Sequence, residues 1–83
     1  MNDEVRGTME GIAARLNTSL KWMIQEGKDG EVALPWELVN EARGSLRKVQ
    51  EEISGDRLPE AVVALSGASE LVGRLKAALQ SSH

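Results

Sequence analysis

The sequence predicts an all-α protein on the strength of two observations. Apolar residues recur every three or four positions in three long segments, and glycine and proline fall between those segments. No segment reads as a strand. The chain has 83 residues, enough for one small core but not for two. We therefore expect a single helical domain over residues 1–83.

The first apolar stripe predicts a helix over about residues 3–26. Asn2 is a candidate N-cap, and Gly27 is in position to end the helix. Side chains spaced three and four apart lie on one side of a helix, so this stripe should face the core. Its members are Val5, Met9, Ile12, Leu16, Leu20 and Met23.

The second helix is predicted over about residues 35–54. Pro35 has the fixed φ that suits a first helical position, and Gly55 suits the position just past the end. The apolar residues between them alternate steps of three and four, a spacing typical of helix bundles. They are Val39, Ala42, Leu46, Val49 and Ile53.

The third helix is predicted over about residues 59–80, starting at Pro59 and followed by a polar tail, 81–83, that we expect to be disordered. It has the widest apolar face of the three. The stripe itself consists of Leu58, Ala61, Leu65, Ala68, Val72, Leu75 and Leu79, and its flank of Ala64, Leu71 and Ala78.

Short connections between helices of about 30 Å only allow the chain to reverse direction, so neighbouring helices should be antiparallel. The predicted fold is an up-down-up antiparallel three-helix bundle. Because so small a chain buries a limited core, and because the third helix has apolar surface to spare, we expect a homodimer to complete the bundle. The flank of Ala64, Leu71 and Ala78 would then be available for assembly.

Two tryptophans are the whole aromatic content, and both fall off the apolar stripes. Trp22 lies near the end of the first helix and Trp36 at the start of the second, so the loop should bring them to the same end of the bundle. One interpretation is that they close that end of the core together with Val32, Leu34 and Leu38. The other is that they are exposed anchors for a partner protein, because tryptophan is enriched among binding hot spots.

Catalytic and metal-binding chemistry is not indicated. The chain has no cysteine and a single histidine, His83, at the very end, so no His/Cys cluster exists to hold a metal ion. Nucleotide-binding loops and hydrolase or metalloprotease motifs are also absent. The carboxylates fall on polar helix faces, where their ordinary role is solubility. We expect no enzyme activity and no cofactor.

The formal net charge is −3, too small to select a class of partner. Arg43, Arg47 and Lys48 form the one basic cluster, but acidic residues interrupt it, which disfavours nucleic acid as a partner. The acidic N-terminus and the shortness of every apolar run predict neither a signal peptide nor a membrane span. A cytoplasmic location is the expectation.

The leading functional hypothesis is a small helical interaction module, of adaptor, chaperone-like or regulatory type, that binds a partner protein. An inhibitor or immunity-type protein of phage or bacterial origin, covering a basic site on an enzyme or defence complex, is the first alternative. A self-assembling structural subunit is the second. Measuring binding at several salt concentrations would distinguish the interaction module from the inhibitor, because charge-driven binding weakens as salt rises and apolar binding does not.

Overall fold

The computed structural model describes residues 3–30 and 33–81, and these ranges contain three α-helices and no strand. Helix α1 spans Asp3–Asp29, α2 spans Trp36–Ser54 and α3 spans Leu58–Ser81. Each helix packs against both others, in an elongated body with extents of 44 × 19 × 15 Å. The predicted three-helix bundle is confirmed. The chain reverses twice, so α1 and α3 run in the same direction.

The stripes of α2 and α3 are buried as predicted. All five stripe residues of α2 are buried, and they are the only buried residues of that helix. In α3, five of the seven are buried, whereas Leu58 and Leu65 are half-buried. Alternating steps of three and four keep side chains on one side of a helix, which in both cases is the side facing the other helices.

Helix α1 ends later than predicted. Gly27 does not end it but lies inside it and is buried, and the Gly30 amide donates to the Glu26 carbonyl at 2.9 Å as the helix finishes. Glycine within a helix costs about 1 kcal/mol relative to alanine, but most of the stability of a helix in a protein comes from tertiary packing and not from propensity. The predicted N-cap, Asn2, lies outside the described residues.

The buried side of α1 is also turned relative to the predicted stripe. Met9, Leu20 and Met23 are buried, but Val5 and Ile12 are 40% and 37% exposed. Ala13 is buried instead, on the edge of α1 that faces α2. Helix α1 must contact both α2 and α3, so its buried side is turned toward α2. Val5 and Ile12 then lie at the edge of the buried side that is farther from α2.

The core has two parts. The larger part, at the end of the bundle that holds the α1–α2 connection, comprises Leu20, Met23, Leu34, Val39, Ala42, Leu46, Ala68, Val72, Leu75 and Leu79. The smaller part, toward the α2–α3 connection, comprises Met9, Ala13, Val49, Ile53 and Ala61. No polar or charged side chain among the described residues is buried, so the interior between the helices is packed by apolar side chains.

The α2–α3 connection is held by an arginine. The Arg57 guanidinium donates to both carboxylate oxygens of Glu52, at 3.1 and 3.2 Å, and thereby lowers the pKa of that carboxyl. At the same end of the bundle, the Arg6 Nη2 donates to the Ile53 carbonyl at 3.2 Å. This bond supplies a partner to one of the last carbonyls of α2 and ties α1 to it.

Asp56, not Gly55, takes the left-handed conformation that commonly ends a helix. Gly55 has φ −84°, whereas Asp56 has φ 63° and donates its amide to the Ile53 carbonyl at 3.1 Å.

The predicted helix boundaries shift slightly elsewhere: α2 begins at Trp36 rather than at Pro35, and α3 begins at Leu58 rather than at Pro59. Ser81, predicted to be in the tail, is helical. The other two tail residues lie outside the described ranges.

Replacing Asp56 with glycine should stabilise the protein by about 1 kcal/mol, because a left-handed residue with a Cβ carries a steric cost that glycine does not. In a thermal melt followed by circular dichroism, this corresponds to a rise of about 5 °C in Tm. Asp56→Asn is the control, since it removes the charge but keeps the Cβ. If both variants melted alike, charge rather than backbone strain would set the effect.

Candidate interaction surfaces

Exposed apolar side chains are concentrated on one side of the bundle. Six large hydrophobic residues are exposed among the described residues: Val5, Ile12, Trp22, Trp36, Val62 and Val63. Three of the six, Val5, Trp22 and Val62, line the space between α1 and α3. Scattered exposed apolar residues are normal, but residues that share one side indicate a contact surface.

We call this region the α1–α3 groove. One end is lined by Val5 and Thr8 of α1 and by Val62 of α3. At the other end is a cavity of about 370 Å³, and its lining residues are Leu16, Ser19, Trp22, Met23, Ser69, Val72, Gly73 and Lys76. Ile12 joins the two ends, because it lies seven residues after Val5 and four before Leu16, on the same side of α1.

The groove is long, and small residues line part of it. From Val5 to Trp22 it extends about 26 Å along α1 at 1.5 Å per residue. Ser19, Ser69 and Gly73 line the half nearer Trp22. A Cβ built on Gly73 would meet no atom within 4 Å, so the bundle itself does not use this space. Small side chains allow a second backbone to approach closely.

Trp22 and Trp36 are both exposed, at 59% and 51%, but they lie on different sides of the bundle. Trp22 lines the α1–α3 groove. Trp36 lies seven and eleven residues before Arg43 and Arg47, which places all three on the side of α2 that faces α1. Helix α1 therefore separates the two indoles. The core beside the connection is closed by Leu34, which is buried, and by half-buried Leu38; Val32 lies outside the described residues.

A second groove runs between α1 and α2. Its lining is mostly polar and comprises Ala13, Asn17, Arg43, Leu46, Arg47 and Gln50. Lys48 does not belong to this side, although it adjoins Arg47 in the sequence. It lines the cleft between α2 and α3, together with Glu52 and Glu60. The basic cluster of the sequence is thus divided between two surfaces.

The flank of α3 faces α2 and is largely occupied by the bundle. Ala64 and Leu71 are half-buried and pack against the two parts of the core. Ala78 is also half-buried. Ala64 borders the α2–α3 cleft beside Val63, which is 73% exposed. Less apolar surface is therefore open on this flank than on the α1–α3 groove.

Among the described residues, no group of three or more His, Cys, Asp or Glu side chains is placed to hold a metal ion. The ion pairs found there are Arg6–Glu10, Arg57–Glu52 and Arg74–Glu70, all between exposed or partly exposed side chains close in sequence. None of the described helices is both long and apolar enough to cross a bilayer.

Val5, Ile12 and Val62 are the groove residues that sequence reasoning missed. Val5 and Ile12 were expected in the core because they keep the helical spacing. Val62 follows the stripe residue Ala61 but belongs to no stripe itself. Its signal in the sequence was its residue type, because a β-branched residue outside the stripe of a helix has a low helix propensity and therefore suggests another role.

Comparison of the chain with protein-family models, with curated proteins and with solved structures finds no match.

Proposed function

We propose that the protein is a helical interaction module that binds an amphipathic helix of a partner protein in the α1–α3 groove, with Trp22 as its anchor. The observation that carries the proposal is that three of the six exposed large apolar side chains, Val5, Trp22 and Val62, line this groove, while helical spacing places Ile12 between its two ends. Apolar surface left in water is costly, and a partner that covers it gains about 25 cal/mol per Å².

The shape of the groove favours a helix as the occupant. Two helices that run in the same direction, side by side, leave a slot along which a third can lie, as in four-helix bundles. Helix axes in such contacts are 8–10 Å apart, and the shorter distances require small residues. Ser19, Ser69 and Gly73 provide them beside Trp22.

The lining also defines the chemistry of the occupant. From Val5 to Trp22 the residues of α1 that line the groove are mostly apolar, with Thr8 and Ser19 as the polar ones. Charged residues line only its two ends, Glu4 beside Val5 and Lys76 beside Trp22. A helix with an apolar stripe of about five turns would match its length. Such binding should change little with salt, which separates this function from that of an inhibitor that relies on charge to cover a basic site.

The occupant can be identified by cross-linking from a defined position. A photoreactive benzoylphenylalanine at position 12, in place of Ile12, should yield discrete adducts in cells that make the protein. The same group at position 44, in place of Gly44 on the outer side of α2, is the control. Mass spectrometry of the adduct would give the partner segment, and the proposal requires that segment to be helical and amphipathic. Adducts of equal yield from both positions would overturn it.

Trp22→Ala is then expected to weaken binding of a peptide of that segment by about 30-fold, since a tryptophan hot spot contributes about 2 kcal/mol. Trp36→Ala is a matched control, because Trp36 is similarly exposed but does not line the α1–α3 groove. Isothermal titration calorimetry measures both affinities, and circular dichroism checks that both variants remain helical. Equal losses from the two variants would exclude Trp22 as the specific anchor.

A second copy of the chain is the competing occupant of the same groove. Sedimentation equilibrium over micromolar concentrations distinguishes the two. A dimer that Trp22→Ala dissociates, while Trp36→Ala does not, would assign the groove to self-association and support the homodimer expected from the sequence. Assembly that continues beyond a dimer would favour the structural-subunit alternative.

A further inference from the structure

The side of the bundle formed by α1 and α2 is basic, although the whole chain has a net charge of −3. Arg43 and Arg47 line the groove between these helices. Lys21 lies one turn after Asn17, which also lines it, and Lys28 lies one turn after Ile24, which packs against the core. None of these four cations forms an ion pair within the described part of the chain.

Nearby carboxylates leave this charge largely uncompensated. Glu10, on the same edge of α1, is paired with Arg6 at 3.3 Å. Glu51 lies one turn beyond Arg47 but is farther than 4 Å from its guanidinium nitrogens. Asp29 accepts a hydrogen bond from the Gln25 amide at 2.9 Å. Fields between exposed charges are screened within about 10 Å at 0.1 M salt, so an anion at this groove responds to the local cations and not to the net charge.

Trp36 gives the basic groove an apolar end. It lies on the same side of α2 as Arg43 and Arg47 and is 51% exposed. From Trp36 to Arg47 the distance along the helix is about 16 Å, which an extended peptide covers with about five residues. Asn17 and Gln50 line the groove between the helices and provide amide groups that can hydrogen-bond to a peptide backbone.

We propose that this basic groove, independent of the α1–α3 groove, binds a short acidic segment of a partner protein. The carboxylates of that segment pair with Arg43 and Arg47, whose planar guanidinium groups can each hold a carboxylate by two hydrogen bonds. An apolar residue next to the carboxylates packs on Trp36.

An acidic peptide fits this groove better than a nucleic acid does. The groove is only about five peptide residues long, and a nucleic-acid strand would run past it onto surfaces where carboxylates predominate. Single-stranded nucleic acid is also held mainly by several stacking aromatics, whereas this side has one tryptophan.

The test uses the full chain and a short polyglutamate peptide with one terminal leucine, labelled with fluorescein, in a fluorescence-anisotropy titration at low salt. A polyglutamine peptide of the same length, with the same leucine, is the uncharged control. Polyglutamate should bind more tightly, and its affinity should fall as salt is added. The Arg43→Gln, Arg47→Gln double variant should lose about tenfold or more in affinity.

A second double variant, Lys48→Gln with Lys76→Gln, makes the same change in net charge outside this groove. It should bind polyglutamate like the unmodified chain. Equal losses from the two double variants would overturn the proposal, since net charge and not this groove would then govern binding. Equal affinity for polyglutamate and polyglutamine would overturn it as well.

Two further measurements test the class of ligand and the location of the site. Tighter binding of oligothymidylate than of polyglutamate would overturn the proposal in favour of nucleic acid. Trp22→Ala should leave polyglutamate binding unchanged, which separates this site from the α1–α3 groove.

Discussion

Leu75→Ala is expected to lower the free energy of unfolding by about 2–5 kcal/mol. Leu75 is 1% exposed and belongs to the larger part of the core, to which all three helices contribute. A domain of this size has a total stability of about 4–12 kcal/mol, so one lost leucine side chain removes a large share of it. Urea denaturation followed by circular dichroism measures the change.

Val63→Ala is the control for this prediction, because Val63 lies on the same helix and is 73% exposed. Its effect should stay within about 0.5 kcal/mol of zero. A cost below about 1 kcal/mol for Leu75→Ala would contradict the described position of α3, since a fully buried leucine cannot be removed so cheaply.

The buried side of α2 could be predicted residue by residue. Val39, Leu46 and Ile53 keep strict helical spacing, and the apolar residues of α2 outside that stripe, Trp36 and Leu38, lie in its first turn and do not form a second stripe. For α1 the same reasoning failed at Val5 and Ile12. Spacing shows that two residues share a side, but it does not show how far the buried sector extends toward each of two neighbours.

The position of the tryptophans shows a second limit of what helical spacing can predict. Their distance from the apolar stripes left open whether Trp22 and Trp36 close the end of the core or are exposed to a partner, and in the structure both are exposed. Periodicity could not show that Trp22 lines the α1–α3 groove and Trp36 does not, because this depends on the hand of the bundle. The hand is the choice of side of the α1–α2 pair on which α3 packs. Nothing in the spacing of apolar residues encodes that choice, so the α1–α3 groove could not be found from the sequence.

Replacing the glycines inside the helices with alanine is expected to give the largest gain in stability. A Cβ built on any of five of them meets no atom within 4 Å, so none of the five is required for helix packing within the chain. Alanine is favoured over glycine by about 1 kcal/mol per site, and distant sites add, so the combined variant should gain about 4–5 kcal/mol in urea denaturation. The five are Gly7, Gly11, Gly44, Gly67 and Gly73.

The single variants show whether any glycine is retained for binding. Gly44→Ala and Gly73→Ala should stabilise the isolated chain equally, because both sites are open. Only Gly73 lines the α1–α3 groove, where an added methyl group would keep the axis of an incoming helix farther away. Gly73→Ala should therefore weaken binding of the partner helix while Gly44→Ala does not. If both variants bound it normally, that helix would not approach the groove closely at Gly73. A loss of stability from Gly44→Ala in the isolated monomer would contradict the open space described around that residue.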